Sequence, residues 1–419
     1  MKLKQILLVL LTALLLTACR QEKGDLSFMV FGDPAEIAAY QSLVDAFQSS
    51  HSQIQVTLRP IADQADYRRQ LATEYAAGAP PDVFLLDFRR FPAFASSGGL
   101  EAVESYLADS DLIQESDFAA SALDAFRWEG QLVCLPQNVS SLVIYYNQDL
   151  FDAAGVDYPA AGWSWDDFLA AAKALTKDTD GDGQIDQYGA GVTPNLVRMA
   201  PFVWQNGGEF VDDPANPTRL TMDAPATVEA FQWFVNLQVS EHVVPDAVAE
   251  EVRDSESRFL DGTLAMYFNS RRGVPTYRTI TTFVWDVGPI PVGDKNVGML
   301  HSDAFCIAAN TEAKGAAWAF VEFANSVEGQ TLLTSSGRTV PSLLSVAASE
   351  AFLSPSQPPA NSQLFLDNIP TLGRVPISTE WPAIEEILTQ EIERAFYGQA
   401  SVEEAAAAAN EMAQPYFDK

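Results

Sequence analysis

The stretch WEGQLVCLPQNVSSLVIYYNQDLFDAAGVDYPAAGWSWDDF, residues 128–168, combines strand and helix signals in close succession. Its first half is a long strand-like run that Pro136 interrupts, and DLFDAAG then begins a helix. Ser164 and Asp167 bracket the start of the following helix as an N-cap with an acidic third position, close to a capping box. This stretch predicts a domain in which strands and helices alternate.

The sequence on either side continues the alternation. Upstream, LSFMVF (26–31), IQVTL (54–58) and PPDVFLLD (80–87) have the composition of strands, and helical patterns separate them. Downstream, LAMYF, FVWDVGPIP and AFCIAA are expected strands, and the chain closes on two helical stretches. Apolar strands alternating with helices favour a parallel α/β sheet with helices on both faces.

Bulk composition limits the class of protein. The 419 residues carry a formal net charge of −31, which excludes non-specific binding to nucleic acid or to an anionic lipid surface. A hydrophobic content of 47% excludes a disordered chain. The length suggests two or three domain-sized units, and the absence of a clear linker suggests domains assembled from discontinuous pieces.

The N-terminus has the pattern of an exported lipoprotein. Lys2 and Lys4 precede an apolar run from Ile6 to Leu16, which is too short to span a bilayer and fits an export signal. The run ends in Leu-Thr-Ala-Cys, a lipobox, so residues 1–18 are predicted as a lipoprotein signal peptide and residues 19–25 as a tether lipidated at Cys19. We therefore expect a soluble body anchored outside the cytoplasmic membrane.

Two further cysteines, Cys134 and Cys306, are too few for a disulfide scaffold. The sequence leaves open one bridge between them in an oxidising compartment, but it favours two reduced, buried thiols.

The segment DTDGDGQIDQYG, residues 178–189, resembles a calcium loop in part. Acidic side chains fall at positions where such a loop supplies oxygen ligands, but Gly189 occupies the place of its bidentate carboxylate. Asp and Gly are also the residues that turns favour. The segment is therefore either a polar turn or a structural calcium site, with the possible ligands Asp178, Asp180, Asp182 and Asp186.

Sequence motifs for catalysis are missing. The three histidines lack metal-ligand spacing, and neither a Walker loop nor a nucleophile elbow is present. A secreted glycoside hydrolase stays open as an alternative, because its two carboxylates pair only in space. A binding site has better candidates, since aromatic faces and amide or charged side chains suit polyols. Those candidates include Trp204, Asn206 and Trp381.

Five segments together resemble the extracellular solute-binding proteins of family 1, the receptors of ATP-driven sugar importers. The first is the opening stretch, with Gly, Leu-Pro, Tyr-Asn-x-x-Leu-Phe, Ala-Gly and Trp-x-Asp in order. The others are PPDVFLLD, QNGGEFVDD, FLDGTLAMYFNS and AFCIAANTEAKGAAWAFVEFANS. The likeness extends over nearly the whole chain after Cys19.

The resemblance implies an α/β, type II periplasmic-binding-protein-like fold, in which two discontinuous lobes close on a ligand in a central cleft. Lobe one would hold residues 25–138 and 304–338, and lobe two residues 142–298 and 343–419. Three hinge crossings would connect them, near Asn138–Leu142, Gly298–Asp303 and Arg338–Leu343. The expected protein is a non-catalytic, monomeric receptor that needs no cofactor and delivers its solute to ABC permease subunits.

The resemblance also implies ligand contacts. Asp33 matches a carboxylate that accepts sugar hydroxyls, Asp87 and Arg89 follow a lobe-one strand where relatives place polar contacts, and Trp381 matches an aromatic on which a sugar stacks. Where the maltose-type pattern has an acid and an aromatic, this chain has Ser140 and the pair Arg271 and Arg272. Asn138 and Asp303 complete the predicted site.

The arginine pair opens a second possibility for the ligand. A guanidinium pair suits a carboxylate or phosphate, so a uronate or a glycerol-phosphate type of solute is an alternative to a neutral sugar. Asp33 and Asp87, facing the same cleft, would repel an anion, and the sequence therefore favours the neutral sugar.

Overall fold

The structure, a computed structural model, describes residues 24–354 and 356–418. The predicted signal peptide, the lipidation site Cys19 and most of the predicted tether lie outside the described residues. In the described part, no helix has both the length and the apolar character that a membrane crossing needs.

Thirteen strands are described. In chain order they are β1 (Gly24–Phe31), β2 (Ile54–Ile61), β3 (Val83–Asp87), β4 (Arg127–Trp128), β5 (Gln131–Leu132), β6 (Cys134–Pro136), β7 (Leu142–Asn147), β8 (Tyr188–Gly191), β9 (Leu264–Ser270), β10 (Trp285–Gly288), β11 (Gly298–Met299), β12 (Asp303–Ile307) and β13 (Leu372–Gly373).

The described α-helices are α1 (Pro34–Ser50), α2 (Gln64–Ala76), α3 (Phe91–Ser96), α4 (Glu104–Ala108), α5 (Ala120–Asp124), α6 (Gln148–Ala154), α7 (Trp165–Leu175), α8 (Leu196–Gln205), α9 (Pro225–Val239), α10 (Ala247–Val252), α11 (Ser255–Leu260), α12 (Val274–Tyr277), α13 (Lys314–Ala324), α14 (Val327–Thr334), α15 (Leu344–Ala347), α16 (Glu350–Leu353), α17 (Leu364–Asp367), α18 (Trp381–Phe396) and α19 (Val402–Phe417). Short 3₁₀ turns lie at Glu115–Asp117, Arg271–Gly273 and Ile369–Thr371.

Local signals in the sequence set several of these boundaries. Ser164 caps α7 through a reciprocal capping box with Asp167, as predicted. Asn147 caps α6, and that helix ends at Gly155, whose positive φ of 65° is the left-handed conformation glycine adopts most easily. The strands and helices expected upstream and downstream of residues 128–168 are also present.

Lobe one, as we define it, is built around a five-stranded sheet in the order β2-β1-β3-β12-β6. β1 is parallel to both β2 and β3, whereas β12 is antiparallel to β3 and β6. The predicted parallel sheet is therefore correct for β1 to β3 and wrong for β12. The chain re-enters this sheet from the other lobe, so β12 starts at the edge where β3 ends.

Lobe two is built around a four-stranded sheet in the order β10-β7-β9-β8. Only β8 and β9 are parallel, and β7 is antiparallel to both neighbours, so the parallel prediction is wrong for most of this sheet. Along β7, Val143 and Tyr145 enter one buried apolar cluster while Leu142, Ile144 and Tyr146 enter another. Both faces of the sheet are therefore covered, as the near-continuous apolar run LVIYY (142–146) indicated.

The three segments predicted as hinge crossings lie side by side. Ser140 and His301 exchange backbone hydrogen bonds of 2.8 and 2.9 Å, and the Val139 amide donates to the Val340 carbonyl at 3.0 Å. The first segment thus lies between the other two and is hydrogen-bonded to each. The exact lobe limits stay a prediction.

Cys134 and Cys306 are joined by a disulfide. They face each other on the antiparallel strands β6 and β12 and are fully buried. The preference for two reduced thiols is therefore wrong, because strands distant in sequence become neighbours in the sheet and bring the two cysteines together.

Candidate functional site

A cavity of about 210 Å³ lies between the two lobes. On the side of lobe one it is reached by the ends of β1 and β3 and by the start of the antiparallel β12. Lobe two contributes the end of β9 and the start of α8. Ligands of open α/β sheets bind outside the carboxyl ends of the strands, so the topology places this cavity where a binding site is expected.

Arg89 of lobe one is held by two carboxylates. Its Nε and Nη2 donate to the two oxygens of Asp87 at 2.8 and 2.9 Å, and its Nη1 donates to Glu385 at 2.8 Å. Burial alone would raise the pKa of Asp87, but the charge and hydrogen bonds of Arg89 lower it to about 2. Asp87 is therefore ionised and already paired.

Two other carboxyl groups in the cavity have raised pKa values. Burial, reinforced by the nearby charge of Asp87, raises the pKa of Asp303 to about 6. Burial also raises the pKa of Glu36 to about 7, against the opposing charge of Arg338, whose Nε lies 2.9 Å from Glu36 Oε2. Both groups are therefore much easier to protonate than ordinary carboxyls.

Two buried nitrogen atoms of the cavity lining have no hydrogen-bond partner among the described residues. They are His301 Nε2 and Arg198 Nε. Burial, followed by the charge of Arg198, lowers the pKa of His301 to about 3, so the imidazole is neutral. Burial lowers the pKa of Arg198 as well. Buried polar atoms are normally paired, so these two are suited to bind a solute.

Six of the predicted ligand contacts line this cavity. They are Asp87, Arg89, Asn138, Ser140, Arg272 and Asp303. They come from four separate regions of the chain, and the tertiary fold brings them together. Contact with a ligand stays a prediction for each of them.

Asp33 lies beside the cavity and is engaged in other contacts. Its Oδ1 caps α1 by accepting from the amides of Ala35 and Glu36, and its Oδ2 is ion-paired with Arg338. This carboxylate is a structural cap and a partner of a cavity arginine in this conformation.

Arg271 does not line the cavity, unlike its neighbour Arg272. Its Nε donates to the Gly337 carbonyl at 2.8 Å and its Nη1 to Ser362 at 3.0 Å, and the guanidinium lies over the rings of Phe352 and Phe365. The predicted arginine pair is therefore split: these consecutive residues of the 3₁₀ turn after β9 point in different directions.

Three more predicted contacts are absent from the cavity lining. Trp381 is fully buried at the start of α18, and Trp204 packs in the core against Phe210. Asn206 donates to the Ala226 carbonyl and to Glu229. The two tryptophan rings are buried in the apolar core, and the Asn206 side chain stabilises the end of α8 through its hydrogen bonds.

The cavity also contains ionisable residues that the sequence did not single out. They are Glu36, Arg68, Arg198, His301 and Arg338. Two of them, His301 and Arg338, lie within predicted hinge crossings. Their position in a crossing was the one signal in the sequence that could have identified them as cavity residues. Arg68 and Arg198 lie on helices and resemble ordinary surface arginines in sequence.

A second cavity of about 180 Å³ adjoins the first on the side of lobe one and is lined mostly by apolar side chains. The two cavities share Phe31, Gln64, Arg68, Asp87 and Asp303. Pro382 of α18 also lines the second cavity, so that helix reaches across to lobe one.

The acidic loop is separate from both cavities. Carboxylate oxygens of Asp178, Asp180 and Asp186 lie within 4.8 Å of one another on the exposed surface, and Asp182 is outside this group. Asp178 also accepts from the amides of Gly181 and Gly183, which stabilises the turn without an ion. A structural calcium site stays a prediction.

The chain matches the model of the bacterial extracellular solute-binding protein family over residues 32–331. It is 28% identical over 177 residues to an arabinooligosaccharide-binding protein of Halalkalibacterium halodurans, covering 42% of this chain and 36% of the relative. It is 24% identical over 301 residues to a maltotriose-binding protein of Pyrococcus abyssi, covering 69% of this chain and 60% of the relative. The matched regions thus span only about a third and three fifths of these relatives.

Solved structures show the same fold. The ABC substrate-binding protein Lmo0181 from Listeria monocytogenes, in complex with cycloalternan, aligns with a TM-score of 0.86 at 24% identity, covering 95% of this chain and all of that one. The GacH receptor of Streptomyces glaucescens aligns with a TM-score of 0.82 at 22% identity, covering 95% of this chain and 99% of that one.

Proposed function

Because the chain belongs to the bacterial extracellular solute-binding protein family, we propose that it captures a carbohydrate solute by closure of its two lobes and delivers it to an ABC permease. The observation that carries the proposal is the polar cavity between the lobes, where His301 Nε2 and Arg198 Nε are buried without partners among the described residues. A polyhydroxylated solute supplies both donors and acceptors for such groups. The relatives' named ligands, an arabinooligosaccharide and maltotriose, support the carbohydrate class.

A thermal-shift screen followed by calorimetry tests this function. A solute at 100 times its dissociation constant should stabilise the protein by about 2.7 kcal/mol. Neutral sugars, uronic acids, sugar phosphates and glycerol phosphodiesters form the panel, with amino acids as the control class. Stabilisation by an amino acid and by no carbohydrate would contradict the proposal.

The alternative from another class is a glycoside hydrolase. Such an enzyme needs two carboxyl groups flanking a glycosidic bond, one of them free to act as a nucleophile or base. Of the cavity carboxylates, Asp87 is held by two hydrogen bonds from Arg89, which favours a binding role. Release of reducing sugar by purified protein, lost on Asp303→Asn, would favour the hydrolase.

Lipid anchoring at Cys19 and a monomeric state are part of the proposal. Cys19→Ala should release the protein from membranes or leave it unprocessed, with its solute affinity unchanged. Fractionation of cells followed by calorimetry on both forms checks this, and light scattering checks the monomer. Wild-type protein found only in the soluble fraction would contradict the anchor.

A further inference from the structure

The cavity has an excess of positive side chains in a strongly acidic protein. The chain has a net charge of −31 and more than twice as many acidic as basic residues. The arginines that line the cavity are Arg68, Arg89, Arg198, Arg272 and Arg338. The carboxyl groups that line it are Glu36, Asp87 and Asp303. The cavity therefore reverses the charge balance of the rest of the molecule.

Ion pairs neutralise only two of these arginines. Arg89 is paired with Asp87 and Glu385, and Arg338 is paired with Asp33 and Glu36. Asp33 and Asp87 are thus each paired with an arginine, and Asp303, the lining carboxyl without an ion pair among the described residues, has a pKa that burial raises to about 6. The repulsion expected from Asp33 and Asp87 on the basis of the sequence is therefore reduced, because each carboxylate is paired with an arginine.

Arg68, Arg198 and Arg272 have no ion pair within 4.0 Å among residues 24–354 and 356–418. Arg198 lies in the first turn of the ten-residue helix α8, whose N-terminus adds positive potential, and its buried Nε has no acceptor. Burial, and after it the charges of Arg89 and Arg272, lower the pKa of Arg198, so these cations repel one another. Burying this nitrogen of a charged group without an acceptor is costly, and an anion would offset that cost.

The three arginines belong to both lobes. Arg68 lies on α2 of lobe one, whereas Arg198 and Arg272 lie on lobe two, and all three line one cavity. Closing the lobes on an empty cavity brings like charges together. Closing them on an anion brings each arginine towards an opposite charge, so an anion would favour the closed form.

We infer that the solute is an acidic carbohydrate whose carboxylate or phosphate group is bound by Arg198 and Arg272 from lobe two and by Arg68 from lobe one. This inference rests on the proposed carbohydrate-binding function. Guanidinium groups bind such anions through paired, charge-assisted hydrogen bonds. Neutral His301 and the amide of Asn138 then face the hydroxyl groups of the same solute.

Calorimetry with matched sugars tests the inference. Glucose, galactose and mannitol are compared with glucuronate, galacturonate, glucose 6-phosphate and inorganic phosphate. An acidic sugar should bind at least about tenfold more tightly than its neutral counterpart, and its affinity should fall as salt is raised from about 20 to about 300 mM. Tighter binding of the neutral counterpart would overturn the inference and leave the proposed function intact, whereas failure of both classes would overturn both.

Arginine variants give an independent result. Arg198→Gln and Arg272→Gln should each weaken binding of the acidic sugar by about 30-fold or more and reduce its salt dependence. The matched control is Arg69→Gln, since Arg69 is exposed and lies next to Arg68 on the same helix. Unchanged affinity in both cavity variants would overturn the inference.

Stability separates a ligand-binding role from a structural one. If Arg198 is reserved for an anion, Arg198→Gln should raise the melting temperature of the solute-free protein, by about 2–4 °C. A lower melting temperature of solute-free Arg198→Gln would show that this arginine holds the fold together, and would overturn its assignment as an anion ligand.

Discussion

Arg89, two residues after strand β3 of lobe one, donates through Nη1 to Glu385 Oε1 on helix α18 at 2.8 Å. Helix α18 packs with α8, α9 and α19 of lobe two, so this ion pair connects the lobes. The two side chains are only 10% and 14% exposed. The contact can exist only while the lobes are close together, and it therefore contributes to the closed conformation.

Glu385→Gln should weaken solute binding without affecting the folding of either lobe. The variant keeps the shape of the side chain and removes the charge that Arg89 meets on closure, while Arg89 retains Asp87. We expect a loss of about 1 kcal/mol, or roughly fivefold in Kd, as measured by calorimetry. Glu386→Gln, at the exposed neighbouring position, is the control, and equal effects of the two variants would contradict this role.

Glu36 should make stability depend on pH. Because burial raises its pKa from 4.5 to about 7, the native state binds more protons than the unfolded state in that range, and the free energy of unfolding falls as pH rises through it. Glu36→Gln lacks this effect. The free energy of unfolding of the wild type minus that of the variant should therefore fall by on the order of 3 kcal/mol between pH 4.5 and 7.

Denaturant titrations at several pH values, without solute, provide the measurement for Glu36. The depressed pKa of His301 has the opposite effect over an overlapping pH range, but it is present in both proteins and cancels in the difference. A difference that stays flat from pH 4.5 to 7 would show that Glu36 titrates normally.

Removal of the disulfide should lower the stability of lobe one. The bond between Cys134 and Cys306 closes a loop of 172 residues, and Cys134→Ala with Cys306→Ala should cost about 2–5 kcal/mol of unfolding free energy. Chemical denaturation with and without reductant checks this. The double variant must be insensitive to reductant, and a wild-type protein equally insensitive to it would mean that the thiols are not bonded in solution.

Trp381 should contribute more to stability than to solute recognition. Its ring is fully buried, and its Nε1 has no hydrogen-bond partner among the described residues. Trp381→Ala should cost about 3–5 kcal/mol of unfolding free energy, because it removes a large core side chain. Trp381→Phe should keep Kd within a few-fold. A large loss of affinity in Trp381→Phe with unchanged stability would support the stacking role that the family resemblance implies.

The acidic loop should be independent of solute binding. Asp178→Asn should leave Kd unchanged within about twofold, since the segment 178–189 contributes no residue to the lining of the cavity between the lobes or of the adjoining apolar cavity. If calcium binds the loop, it should raise the melting temperature of the wild type and not of Asp178→Asn. Loss of solute affinity on chelation, with the fold intact, would contradict the separation.

The family resemblance found in the sequence was sufficient for the two-lobed class, and local signals were sufficient for most of its helices and strands. The N-cap Ser164 with Asp167, the left-handed Gly155 and the apolar runs of β1 and β3 specify elements over a few residues each. The direction of β12 could not be obtained in this way. The direction of β12 depends on the position of the lobe from which the chain returns to this sheet.

The sequence by itself thus determined the elements, the two-lobed class and part of the cavity lining. Only the tertiary structure decided that Arg272 lines the cavity while Arg271 packs on Phe352, since hydrogen bonds to segments distant in sequence hold Arg271 in the 3₁₀ turn after β9. Only the tertiary structure paired Arg89 with Glu385, 296 residues away, and left Arg198 without a carboxylate among the described residues. The net charge that a solute meets in the cavity depends on such long-range ion pairs, and the order of the residues does not reveal them.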